Sequence, residues 1–159
     1  MKSIALLLSL VLAYVSLAFF LRGGSNTGAF QSGEDERLTA EAVVRKQLEG
    51  LQNNDSPSTD AGIELAWEYA HPANREATGP LPRFTEMLKS PAYRDLLDHS
   101  AHQINRIAST ETTATFNVLV FPAGNNAPLR YRWTVARLPS GDWATTAVSA
   151  PVEAGLPPA

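Results

Sequence analysis

Thr113-Ala114-Thr115-Phe116-Asn117-Val118-Leu119-Val120 and, after a turn-rich gap, Leu129-Arg130-Tyr131-Arg132-Trp133-Thr134-Val135-Ala136 decide the fold. In both, apolar and polar side chains alternate, the period of a strand with one buried face. Phe116, Val118, Tyr131, Trp133 and Val135 therefore share an inward face. The gap, 122–128, holds two prolines and a glycine, so the strands pair as antiparallel neighbours. A third strand over 143–149 follows the turn Pro139-Ser140-Gly141-Asp142, and 102–108 reads as a strand ahead of Thr112.

Upstream the period is helical. Val44, Leu48 and Leu51, flanked by Val43, predict a helix within 38–53, with Asn53-Asn54 as its stop and Glu41 and Arg45 spaced for a pair along it. Asp60 is placed to cap a second helix carrying Ile63, Ala66, Trp67 and Ala70, which Pro72 ends. Residues 71–82, punctuated by proline and glycine, read as a structured loop in which Asn74 and Arg75 bond neighbouring backbone. Pro82 suits the first turn of a helix with Phe84, Met87 and Leu88. Ser90-Pro91 opens another, with Tyr93, Leu96 and Leu97 inward and an end near His99. Helices first and a strand meander afterwards describe an α+β domain over 38–150, with a Pro-rich tail, 151–159, read as unstructured.

The N-terminal 22 residues follow another rule. From Ile4 through Leu21 no residue is charged, and at 1.5 Å per residue the run extends roughly 27 Å, close to the bilayer core. An uncleaved anchor is the first reading. The second is a secretory signal cut after Ser16-Leu17-Ala18, which would leave Phe19-Phe20-Leu21 at the new terminus. Lys2 and the α-amino group outweigh Arg22, which directs the following domain to the outer, periplasmic side. Residues 23–37, rich in Gly and Ser, read as a flexible linker.

Composition narrows the chemistry. The chain has no cysteine, so disulfides and thiol nucleophiles are excluded. Its 13 Lys and Arg face 16 Asp and Glu, and two of the 13, Lys2 and Arg22, belong to the membrane segment, so nucleic acid is not an expected partner. No cofactor or metal is expected. His99 and His102, if both on a strand, would point to opposite faces, and His71 lies elsewhere. No nucleophile motif surrounds any serine. Gly79-Pro80 reads as a rigid turn rather than a phosphate cradle, since proline removes a donor. No carboxylate alternates into the inward strand row, so catalysis is not expected. The pocket candidates are His71, Tyr93, His102, Tyr131 and Trp133. The interaction candidates are Arg130 and Arg132.

Three local patterns carry a resemblance. They are the QLxxLxxxD of Gln47 to Asp55, Ala70-His71-Pro72-Ala73-Asn74-Arg75, and Thr78-Gly79-Pro80-Leu81-Pro82-Arg83-Phe84. Together they resemble an uncharacterised bacterial and plastid family of domains of unknown function, over residues 40–150. That family has Ser where this chain has His71. The resemblance implies a cone-shaped fold similar to the nuclear-transport-factor-like, or cystatin-like, class, whose members use the cone as ligand pocket, enzyme site or docking surface. The expectation is a membrane-anchored, non-enzymatic interaction domain, an accessory subunit of a membrane assembly, with a homodimer through the sheet as one arrangement. The alternative is an exported cone that binds a small ligand or performs acid/base catalysis. An open cavity holding His71, His102 or Arg132 would favour the alternative; close packing of Trp67, Phe116 and Trp133 would favour the first.

Overall fold

The computed structural model describes residues 37–124 and 126–155. The anchor or signal at 4–21 and nearly all of the 23–37 linker lie outside the described residues. Among those described, no helix is long and apolar enough to cross a membrane.

Helix α1 spans Ala40–Gln52. Thr39 caps it, its hydroxyl accepting from the Ala42 amide at 3.1 Å, and Glu41 pairs with Arg45 on the exposed side. Ala40, Val43, Val44, Gln47, Leu48 and Leu51 form its buried face. Asn53 closes it by donating its backbone N–H to the Glu49 and Gly50 carbonyls.

Helix α2, Ala61–Glu68, starts without the cap expected of Asp60. Asp60 is in the left-handed region at φ 62°, so its side chain turns away from the first helical amides. The carboxylate accepts from Lys89 and Asn54 instead. Lys89 holds it below the ordinary 3.8. The start of α2 is satisfied from outside, the Asn54 side-chain oxygen accepting from the Ile63 amide at 3.2 Å.

Residues 72–78, read as loop from sequence, form helix α3, Pro72–Thr78. Pro72 ends one helix and begins the next: its missing N–H costs nothing at the first helical position, and His71 Nδ1 accepts from the Ala73 amide at 3.1 Å. Helix α4, Leu81–Lys89, has Pro82 in its first turn and buries Phe84 and Leu88. The helix expected after Ser90-Pro91 is reduced to a 3₁₀ turn, Arg94–Leu96. Asp98, left-handed at φ 52°, stops it, and its N–H and carboxylate are held by α1's end through the Leu51 carbonyl and the Asn54 amide.

The sheet runs in the order β1 (Ala101–Ser109), β2 (Thr113–Phe121), β3 (Leu129–Arg137), β4 (Trp143–Val148), all antiparallel. The tail was expected to be unstructured, but Val152–Glu153 forms β5 against Arg130 and Leu129, and Ala154 N–H donates to the Pro128 carbonyl. Ala114, Phe116, Val118, Val120, Tyr131, Trp133 and Val135 are buried as the alternation required, and the helices pack on that face. One contact covers the far edge of β4: the Thr145 carbonyl accepts from His71 N–H, and Thr145 N–H donates to the Tyr69 carbonyl, both at 2.8 Å.

Candidate functional site

Between helices and sheet lies a cavity of about 280 Å³. Leu51, Phe84, Met87, Leu88, Leu96 and Trp133 supply its apolar walls. Ala77 and Ala147, both exposed, mark its mouth, while Gln47, Trp133 and Thr145 are buried at its floor. The described lining contains neither a histidine nor a charged side chain.

The floor is a linked set of hydrogen bonds. Gln47 sits on the apolar face of α1 and is 2% exposed. Its Oε1 accepts from Trp133 Nε1 at 3.1 Å and from the Thr145 hydroxyl, and its Nε2 donates to the Ala66 carbonyl at 2.8 Å. That last bond has a structural reason. The final carbonyls of a helix lack partners within it, and at the end of α2 each finds another: Leu65 takes Tyr69 N–H, Ala66 takes Gln47, Trp67 takes Ala70 N–H and Arg75 Nε, and Glu68 takes Arg75 Nη2. The Arg75 guanidinium also stacks 5.4 Å from the Trp67 ring, placing a cation where the helix dipole favours one.

β4 enters the cavity through a bulge. Thr134 opposes Ala147 and Val135 opposes Thr145, leaving Thr146 as the extra residue. Thr145 points to the floor and Thr146 lines the wall, its hydroxyl donating to the Thr134 carbonyl. Asn74, expected to bond its own loop, reaches across to the Thr145 carbonyl at 3.1 Å and fixes α3 over the mouth.

Of the residues singled out from sequence, the cavity gathers Tyr93 and Trp133. His71 serves as the α3 cap and Tyr131 lies in the core. The Tyr131 hydroxyl has no hydrogen-bond partner among the described residues, and burial, then the nearby Asp95 and Tyr93, push its pKa well above the ordinary 10. Arg130 and Arg132 are exposed on the opposite face of the sheet. Gln47, Thr145 and Thr146 were not singled out. Gln47 carried a signal, a lone polar residue in the row of Val44, Leu48 and Leu51; the threonines carried none.

The two histidines expected on opposite faces are in fact bonded. His99 precedes β1, so strand parity does not govern it, and its Nε2 lies 2.8 Å from His102 Nδ1. His99 Nδ1 lies 2.8 Å from the Leu96 carbonyl, which can only accept. In the neutral pair His99 thus carries its proton on Nδ1, His102 must donate from Nδ1, and His102 Nε2 is left as the bare acceptor. Among the described residues, no group of three or more His, Asp or Glu side chains could hold a metal. Desolvation lowers the pKa of both rings below 6.5; His99 and Arg45 add to this for His102, while Glu49 opposes it. A depressed histidine pKa means the unfolded chain binds more protons, so this stabilisation is complete above about pH 6.5 and is lost as pH falls below it. The urea midpoint is expected to drop between pH 7.5 and 5.5, and less steeply in His99→Gln; equal slopes would refute the assignment.

Comparison with known proteins finds no matching family model, no matching curated protein and no matching solved structure.

Proposed function

We propose that this chain is a membrane-tethered binding domain whose helix–sheet cavity takes a small, mainly apolar ligand. The cavity carries the reading: an apolar concavity with a few convergent polar groups is the usual form of a small-molecule site, and this one has Gln47, Asn74 and Thr145 in that role. The absence of histidine and of charge from its described lining supports binding over acid/base catalysis. Helices followed by an antiparallel sheet also suit the cone class that the sequence resembles, where a pocket forms between the two layers. The uncharged run from Ile4 through Leu21 supports the tether and an outer-side location.

The test uses the full chain in lipid-bilayer nanodiscs, because detergent would enter an apolar cavity. Titrating naphthalene should shift the Trp133 indole N–H resonance saturably and leave that of Trp143, outside the lining, in place. Ala66→Met, which fills the cavity, should abolish the shift. An unmoved Trp133 signal at saturating probe would sink the proposal. The tether has its own check: protein sequenced from isolated membranes should begin near Met1, whereas a start at Phe19 with the domain in the soluble fraction would overturn it.

A second reading rests on the other sheet face. Arg130 and Arg132 stand exposed there, which supports docking to an acidic surface of a membrane-protein partner, or a homodimer through the sheet.

A further inference from the structure

Resting on the cavity as a binding site, the geometry points to its ligand class: an uncharged, ring-sized molecule of roughly a dozen non-hydrogen atoms that presents one hydrogen-bond acceptor, such as a ketone or amide carbonyl, to Gln47. Three observations carry this.

Size comes first. An apolar cavity of about 150 Å³ holds benzene, and this one, at about 280 Å³, is nearly twice as large. Two fused rings, or a short branched chain, fill it. A long acyl chain would leave part of its length outside the mouth at Ala77 and Ala147.

Charge comes second. An ionised group moved into a cavity without a counter-charge loses its hydration and gains no partner. The described lining offers amides, hydroxyls and an indole N–H, and nothing ionised at neutral pH. The same holds for a cation, which would meet no carboxylate.

Polarity comes third. The Gln47 carbonyl oxygen is already engaged by Trp133 and Thr145, so it has little left to offer a ligand donor. Its amide nitrogen carries two hydrogens, and among the described residues one of them has an acceptor, the Ala66 carbonyl. The floor therefore has a donor to give. The Thr145 hydroxyl is committed to Gln47 and the Thr146 hydroxyl to Thr134. A bound carbonyl completes Gln47; a bound hydrocarbon leaves that hydrogen buried and unpaired.

The experiment compares three probes of one shape on the full chain in nanodiscs at pH 8: naphthalene, 2-acetylnaphthalene and 2-naphthoate. Free concentrations are corrected against protein-free discs. 2-Acetylnaphthalene should bind about 3- to 10-fold more tightly than naphthalene, the range that such a bond supplies. It should also shift the Gln47 side-chain amide resonances, which naphthalene leaves in place. 2-Naphthoate, ionised at this pH, should bind at least about 30-fold more weakly than the ketone. If naphthalene matches the ketone, or if 2-naphthoate binds most tightly, the ligand class is wrong while the cavity reading stands. If no probe binds, the cavity reading itself falls.

Discussion

Gly62→Ala is expected to leave the domain largely unfolded at 37 °C. A Cβ built on Gly62 would lie 2.1 Å from the Gly50 carbonyl oxygen, 2.6 Å from its carbonyl carbon and 2.9 Å from the Asn54 Cα. All three are backbone atoms, so no side chain can swing aside. Helices α1 and α2 would have to separate, opening the contacts of Leu48, Leu51 and Ile63 and breaking the bond from Gly62 N–H to the Asn54 carbonyl. Alanine favours a helix over glycine by about 1 kcal/mol, but overpacking against rigid backbone costs about 3 kcal/mol or more. The clash wins. Gly50→Ala is the control: its Cβ would meet the Leu65 Cδ2 at 2.8 Å, the end of a flexible side chain, and its backbone neighbours stand at 3.5 Å or beyond. Circular dichroism melts should show Gly50→Ala folded and Gly62→Ala without a cooperative transition. A cooperative melt for Gly62→Ala within a few degrees of the parent would contradict the helix contact.

The second large effect belongs to Gln47. Leucine there has similar volume and suits the apolar face, so hydrophobic reasoning alone predicts a gain. The hydrogen bonds reverse the sign. Removing the amide leaves the Ala66 carbonyl without its partner at the end of α2 and the Thr145 hydroxyl without an acceptor, while the Trp133 N–H keeps only Thr145 Oγ1. Each buried unsatisfied group costs about 1–3 kcal/mol, so Gln47→Leu should destabilise by about 3 kcal/mol in urea unfolding. Trp133→Phe removes only the donor, and Thr145 still satisfies the Gln47 oxygen, so the amide network should lose about 1 kcal/mol beyond the change in ring packing. Equal stability of parent and Gln47→Leu would show that the buried amide is not a structural element.

Much of the architecture could be read from period alone. The alternation in 113–120 and 129–136 placed every inward residue correctly, because strand parity is fixed once one face is apolar. Helix α1 was equally plain. Helix α3 was not, since none of its residues is buried and no apolar row marks it; its caps make it a helix, and in the sequence Pro72 reads only as a stop. The histidine pair escaped for a related reason. Parity arguments hold only inside a strand, and His99 stands just ahead of Ala101, where β1 begins. The floor of the cavity was hidden by distance along the chain: the partners of Gln47 are Ala66, Trp133 and Thr145, from a helix and two strands that only the tertiary fold brings together.

The bond pair that ties Thr145 to Tyr69 and His71 also limits how copies of this domain can join. A sheet with two open edges can pair edge to edge without end, which is the geometry of a growing fibre. Here the β4 edge has its central amide and carbonyl already occupied. Of the other outer strands among the described residues, β5 is two residues long, and β1 has one open side and a bulge at Ile107 that breaks its regular ladder. Among the described residues, strand pairing between molecules is therefore directed to β1, and a pair formed edge to edge through β1 closes on itself.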